Sequence, residues 1–541
     1  MDVRATIGGS VEAVKTLVRT GLLAPMRPDK YWHIIDAIRR EGMTATFAFA
    51  SAAQRCPDRA AIIDEIGALT WREIDQRGNA LAAALERLPG GTPETIGIMC
   101  RNHRGFVEAL VAANRVGADM VLLNTSFAGP ALAEVADREQ LDAIVYDQEF
   151  SETIDRALVQ RPEATRLVAW ADGATEHTTV ESLIDSHLGE RPERPERRGA
   201  MILLTSGTTG IPKGAKHPGG SAKNLVQVLN RTPWHAEEAT VIAAPMFHAW
   251  GLSQLIISAA LACTIVTRRK FDPEATLELI DRHQATGLVV VPVMFDRIME
   301  LPDDVRGRYS ARSLRFATAS GSRMRPDVVT KFMDEFGDVI YNNYNATEAG
   351  MITTASPADL RAAPSTAGRP AEGTEIRIFD DNDRDVPPGQ TGRIFVRSET
   401  QFGGYTSGGT KQFNGDFMSS GDVGYLDEAG RLFVVGRDDE MIVSGGENVY
   451  PIEVEKTLVA HEDVAEAAVL GVDDEQYGQR LVAFVVLKPS GSVTPDALKQ
   501  HVRSGLANYK VPRQIVILDE LPRSSTGKIL RRELKDRIGG A

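Results

Sequence analysis

The stretch Thr205-Ser206-Gly207-Thr208-Thr209-Gly210-Ile211-Pro212-Lys213-Gly214 constrains this chain more than any other. A short apolar run, Met201 to Leu204, precedes it and reads as a buried strand running into a loop. Glycine lets a backbone turn its N–H groups inward on a ligand, and Ser/Thr hydroxyls add further donors. Lys213 adds a full positive charge, so the guest such a loop suits is a polyphosphate. The spacing is not the Walker pattern G-x-x-x-x-G-K-[ST], because Pro212 follows Gly207 by five positions and Gly214 follows Lys213. A flexible polar surface loop is the bland alternative, and its composition is too specific for that.

At 541 residues the chain exceeds one ordinary core, so at least two domains are expected. The net charge of -13 argues against general nucleic-acid binding, which needs a basic footprint. Cys56, Cys100 and Cys263 are widely spaced and lack metal-ligand spacing, which fits a reduced, cytoplasmic setting. The N-terminus begins with Asp2 and Arg4 and reads as lacking the apolar core of a signal sequence. The longest apolar run, near Leu255 to Val266, falls short of the ~20 residues that span a bilayer.

Ser10 to Leu23 places Val11, Val14, Leu17, Val18 and Leu22 at helical spacing with Lys15 and Arg19 between them. Two readings stay open: a helix lying on a membrane surface, or an arm docked on its own protein. Tyr31 to Glu41 reads as a second helix with Trp32, Ile35 and Ile38 on one face. Ala60 to Asp64 and Leu69 to Trp71 suggest a strand pair, followed by a helix over Ile74 to Arg87. From Glu94 to Ala319 short apolar runs alternate with helical stretches, the signature of βαβ units and parallel sheets. Beyond Gly368 the pattern changes to short strands among turns, a small β unit. After the charged turn Arg437-Asp438-Asp439-Glu440, about a hundred residues with their own α and β pattern are long enough for a separate domain.

Further polar stretches follow the expected strands. Pro245 to Gly251 mixes aromatics with His248, and aromatic clusters of this kind also serve simply as core corners. Tyr341 to Glu348 is dense in donors and acceptors and ends on a carboxylate suited to Mg²⁺. Asp422 is suited to a ribose diol, and Arg437 to the same sugar or a phosphate. Pro522 to Lys528 is a second Gly/Ser/Thr loop bearing a lysine. Together these describe nucleotide chemistry.

With these motifs the chain resembles the adenylate-forming acyl-CoA synthetases, the group that includes firefly luciferase and the adenylation domains of peptide synthetases. The resemblance runs from about Ala60 to the C-terminus. Its carriers, in the family's order, are Thr205 to Gly214, Pro245 to Gly251, Tyr344 to Glu348, Ser420 to Asp422, Gly436 to Glu455 and Pro522 to Lys528. It implies an α/β fold: a large multi-subdomain N-terminal αβ domain with a β-subdomain (residues 1–436), a hinge (437–440) and a small mobile α+β lid (441–541). It also implies ATP, Mg²⁺ and coenzyme A as cofactors, acyl-AMP as intermediate, and AMP and pyrophosphate as products.

Carried over residue by residue, Thr205, Ser206, Gly207, Thr208, Thr209, Gly210 and Lys213 grip the ATP phosphates. Thr347 touches the α-phosphate and Glu348 binds Mg²⁺. Gly321, Ser322, Asn343 and Tyr344 surround the adenine, and Asp422 and Arg437 hold the ribose. Lys528 stabilises charge on the carboxylate and α-phosphate. Asp439 is the hinge aspartate, about which the lid turns to bring Ser444, Gly445, Gly446 and Glu447 to the thioester side. Lys510 and Arg513 are candidate coenzyme A contacts, or simply solvated surface charges.

The acyl pocket then falls among Trp250, Val293, Met294, Ala319 and Asn345, with His248 at the wall where acid and thiol meet. Asn345 stands where the family more often has glycine, which narrows or polarises that pocket. None of these residues complements a charged tail, so an apolar acid is favoured. A medium- or long-chain fatty acid is the leading expectation, because the amphipathic N-terminal segment suits substrates that partition into membranes. The alternatives are an aryl or short-chain acid, a ligase that loads a carrier protein, and, from another class, a non-catalytic acyl or nucleotide sensor. The small-molecule acid, ATP and coenzyme A are the expected partners, with peripheral membrane contact and a homodimer compatible with the resemblance.

Overall fold

The computed structural model describes the chain apart from residues 1–12, 24–27, 43, 45, 128, 206–212, 218–221, 347, 399–410, 445–446, 475–477, 525–526 and 539–541. By packing, the chain forms two compact units, one built on residues 1–364 and the other on 365–399 with 411–541. The expected boundary at 437–440 falls inside the second of these units. Among the described residues no helix is long and apolar enough to cross a membrane.

The first unit contains, in chain order, β1 (Ala60–Asp64), β2 (Gly67–Thr70), β3 (Thr95–Met99), β4 (Asp119–Leu122), β5 (Ala143–Asp147), β6 (Thr165–Trp170), β7 (Met201–Thr205), β8 (Lys213–His217), β9 (Ala239–Ile242), β10 (Thr264–Val266), β11 (Gly287–Val290), β12 (Phe316–Ala319), β13 (Ile340–Ala346) and β14 (Gly350–Ala355). One sheet runs β6-β5-β3-β4-β7-β8, and a second places β14-β13-β12-β11-β9-β10-β1-β2 side by side. Interior pairs such as β3/β4, β9/β11 and β12/β13 are parallel, as the alternation of strands and helices requires. The edge pairs β1/β2, β7/β8 and β13/β14 are antiparallel.

Local sequence explains the elements. β11 (GLVV) and β12 (FATA) are buried at every position, as strands covered on both faces must be. The helix Trp71–Glu86 begins at a capping box in which Thr70 and Glu73 exchange hydrogen bonds. The helix Pro273–His283 starts with Pro at its first position, and the Asp272 side chain accepts the Ala275 N–H.

The N-terminal segment is helical over residues 13–19 and docked on its own unit. Thr16 donates to Asn230, Arg19 to the Leu229 carbonyl at 3.1 Å, and the Ala236 N–H to the Thr20 carbonyl at 2.7 Å. The helix Pro28–Glu41 forms as expected, but its Tyr31, Trp32 and Ile35 point to solvent, Trp32 at 67% exposure. β8 lies where the sequence reads as loop, because Lys213-Gly-Ala-Lys-His217 carries almost no apolar pattern; its pairing with β7 supplies the order.

The second unit pairs Thr374–Phe379, Gly392–Ser398, Phe417–Leu426 and Leu432–Arg437 into an antiparallel β unit. Its C-terminal sheet contains Val464–Asp474 and Gly478–Leu487, with Gln514–Leu518 added in parallel. Leu481, Ala483 and Val485 join one apolar cluster with the helices Pro451–Val459 and Pro495–Gly505. Val482 and Phe484 join another with Leu534 of the helix Arg531–Ile538. The period of two along a strand thus buries both faces, which explains the unbroken apolar run Leu481 to Leu487.

Candidate active site

In the second sheet of the first unit, β9, β11, β12 and β13 run parallel, so their carboxyl ends share one edge. That edge of an open α/β sheet is where ligands bind. It collects the turn after β9 with His248 and Trp250, then Val293 and Met294 after β11, Ala319 to Ser322 at the end of β12, and Tyr344 to Glu348 along and after β13. Register sharpens the picture. Ala319, the last residue of β12, pairs with Asn342, so β13 continues past its neighbour for four more residues. Gly321, just beyond β12, has φ +104°, and no described atom lies within 4 Å of where a Cβ would stand. Backbone is therefore open to close approach there.

The turn after β9 is tightly built. Its Ala243 and Ala244 N–H groups both donate to the Val289 carbonyl, at 2.9 and 3.0 Å. Trp250 donates its indole N–H to the Val290 carbonyl at 2.9 Å, which ties the far end of the turn to β11. His248 precedes the helix Ala249–Ala260, with its ring 4.7 Å from that of Phe247. Met294 and Ala319 are buried. Asn343 is buried too, donating to Thr318 at 2.8 Å and accepting from Thr354 at 2.9 Å, so its side chain clamps β12, β13 and β14 together. The side-chain oxygen of Asn345 is buried. Glu348, 9% exposed, sits in the turn between β13 and β14, and its carboxylate is the hard oxygen donor that Mg²⁺ prefers.

Thr205 and Lys213 pair with each other at the end of the β7/β8 hairpin. Ser206, Gly207, Thr208, Thr209 and Gly210 between them lie outside the described residues, as do Thr347, Gly445 and Gly446.

In the second unit Asp422 and Arg437 are cross-strand partners in register, with Arg437 Nη1 3.7 Å from Asp422 Oδ1. Ser444 and Glu447 close the short hairpin that brackets Gly445 and Gly446, and Asp439 lies in a single helical turn over Asp438–Glu440. Lys528 is exposed on a loop whose Ser524 and Lys528 backbones are bonded at 2.8 Å. Lys510 is ion-paired with Glu453.

The chain matches the AMP-binding enzyme family over residues 49–406 and the AMP-binding enzyme C-terminal domain over 453–528. It belongs to that family. Among its relatives, the 2-succinylbenzoate–CoA ligase of Geobacillus sp. (strain WCH70) is 31% identical over 89% of this chain and 95% of that protein. The feruloyl-CoA synthase of Amycolatopsis sp is 32% identical over 87% and 94%. Among solved structures, the o-succinylbenzoate CoA synthetase of Bacillus subtilis, in complex with its acyl-adenylate intermediate, superposes with a TM-score of 0.75 at 28% identity over 90% and 98%. As an AMP-binding enzyme the chain is an acid–thiol ligase that forms an acyl-adenylate and uses ATP, Mg²⁺ and coenzyme A.

One cluster at the matching edge of the first sheet went unremarked in the sequence. Cys100, His103 and Asp147 are buried with their polar atoms within 4.8 Å of one another. His103 Nδ1 accepts the Gly105 N–H, so its Nε2–H donates to Asp147 Oδ1 at 2.7 Å; Asp147 Oδ2 accepts the Arg101 N–H at 3.0 Å. Burial raises the Cys100 thiol well above its ordinary range. These atoms hold the backbone after β3 in place.

Proposed function

We propose that this AMP-binding enzyme activates the carboxylate of an aromatic or arylalkanoic acid whose body is otherwise uncharged, and transfers the acyl group to coenzyme A. The observation that carries the reading is the composition of the edge described above: Trp250, Val293, Met294, Ala319 and Asn345 supply apolar surface and one carboxamide, with no ionised group among them. Such a lining suits a flat apolar body of limited length, because the Asn345 side chain occupies space that a glycine would leave open. Two relatives support the reading, a feruloyl-CoA synthase and an indoleacetate–CoA ligase, both named for aryl monocarboxylates; 2-succinylbenzoate is also aryl but carries a second carboxylate.

In this reading residues 205–213 would hold the β- and γ-phosphates, and Glu348 would hold a Mg²⁺ whose charge offsets that developing as the carboxylate attacks the α-phosphate and pyrophosphate leaves. Asp422 and Arg437 hold the ribose. Lys528 stabilises the attacking carboxylate and α-phosphate, and Asp439 is the hinge.

A fatty-acid substrate is the second reading, favoured by the exposed Tyr31, Trp32 and Ile35, an apolar helix surface suited to a lipid interface. A panel from acetate through long-chain and aryl acids, scored separately for pyrophosphate and thioester, tests both. Thioester formation peaking with aryl acids supports the proposal. A peak at long-chain fatty acids replaces it with the second reading, and pyrophosphate without thioester moves the acceptor to a carrier protein.

A further inference from the structure

The residues after β3 are pinned from one side by Asp147, and between them one side chain reaches the other way. Asn102, 4% exposed, crosses from the first sheet to the turn after β9 in the second. Its Nδ2 donates to the Ala244 carbonyl at 2.9 Å and lies 3.4 Å from the Ile242 and Ala243 carbonyls. Its Oδ1 accepts the Met246 N–H at 2.9 Å. A carboxamide carries two donor hydrogens on one atom and an acceptor on the atom beside it, and the Met246 N–H fixes which atom is oxygen. The turn it grips leads directly into His248 and Trp250. That turn has its second anchor at Trp250 itself, through the indole bond to Val290.

We propose that Asn102 is a positioning residue for acid binding: by holding residues 242–246 from the first sheet, it sets where His248 and Trp250 stand at the strand ends. The inference rests on the reading of that edge as the acid site. The neighbouring clamp makes the device rigid. Arg101 and Gly105 give their N–H groups to Asp147 and His103, so Asn102 sits on a backbone fixed on both sides. A displacement of the turn by ~1 Å is enough to cost about a hundredfold in a reaction that depends on alignment.

The test pairs Asn102→Ala, which removes every contact, with Asn102→Ser, which keeps a donor and an acceptor on a shorter side chain. Rates are normalised to folded enzyme, and KM is measured separately for acid and for ATP. Asn102→Ala is expected to raise the acid KM about tenfold, a partial misplacement short of the ~1 Å that costs about a hundredfold, and to shift the kcat/KM ratio between a bulky and a slim acid. Asn102→Ser should recover part of both, and the ATP KM should stay within about twofold. A merely structural asparagine would lower the folded fraction and leave both KM values and the acid ratio unchanged, which overturns the proposal. So does failure of both variants to fold. Trp250→Ala separates the two layers. If it too leaves acid selectivity unchanged, the acid-site reading falls; if it alters selectivity while Asn102→Ala does not, only the role of Asn102 falls.

Discussion

Gly251→Ala probes the turn after β9 with a single methyl group. An ideal Cβ at Gly251 would stand 2.2 Å from the Pro245 carbonyl oxygen, 2.6 Å from its carbon and 2.9 Å from the Ala244 oxygen. All three are backbone atoms, so no rotamer change relieves the clash. Ordinary contact needs about 1 Å more, and the turn must open by roughly that distance, against the bonds from Ala243 and Ala244 to Val289 and from His248 to Pro245. Overpacking of this kind costs about 1–3 kcal/mol of stability. A ~1 Å shift of His248 and Trp250 should lower kcat/KM for the acid about a hundredfold, or ~2.7 kcal/mol of transition-state stabilisation. The assay is pyrophosphate release at saturating ATP, beside a thermal melt and AMP binding by calorimetry. AMP affinity should hold, because the methyl is added at the acid side of the edge. Gly90→Ala is the control: no described atom lies within 4 Å of its Cβ position, and it should behave as wild type. A Gly251→Ala enzyme with acid kcat/KM within about threefold of wild type would refute the claim that this turn is rigid and aligned with the chemistry.

Lys528→Ala should abolish adenylation while leaving ATP binding intact; normal pyrophosphate release would remove Lys528 from the chemistry. Cys56, Cys100 and Cys263 are all buried, and burial pushes their thiols up, Cys263 to about 12. A thiol-reactive dye at pH 8 should therefore leave the native enzyme unlabelled and modify all three only after unfolding; rapid native labelling would contradict the packing. Arg101 holds the Glu149 carboxyl down at about 2, below the ~4.3 of an unfolded chain. Its contribution to stability is thus full above pH ~4 and lost as pH falls toward 2, and Glu149→Gln should flatten the melting temperature across that window. An unchanged profile would show that the Arg101–Glu149 pair stabilises nothing.

Much was legible in the sequence where chemistry and pattern coincide within one short segment. The strands Ala60–Asp64 and Thr95–Met99 and the helix Pro451–Val459 follow from local periodicity, and the parallel sheets from the alternation of strand and helix. The polar motifs at strand ends were equally plain, because a run such as Tyr344 to Glu348 has no packing reason to be so polar. What the sequence hid was whatever depends on a partner far along the chain. β8 is ordered by β7, and Gln514–Leu518 by a strand thirty residues away. The helix at Pro28–Glu41 was visible, but which side would be covered was not: among the described residues Trp32 and Ile35 are exposed.

The same division runs through the site. Residue type by itself determined that this chain handles a nucleotide and a carboxylic acid, since phosphate-binding loops and carboxylates for a metal are chemical requirements written in single letters. Only the tertiary structure decided that Asn102, more than a hundred residues before Trp250, grips the turn that carries it. A carboxamide's donors and acceptor are the same anywhere in a sequence. What they hold depends on which backbone groups the fold leaves within 3 Å, and sheet order, not residue spacing, brings those together.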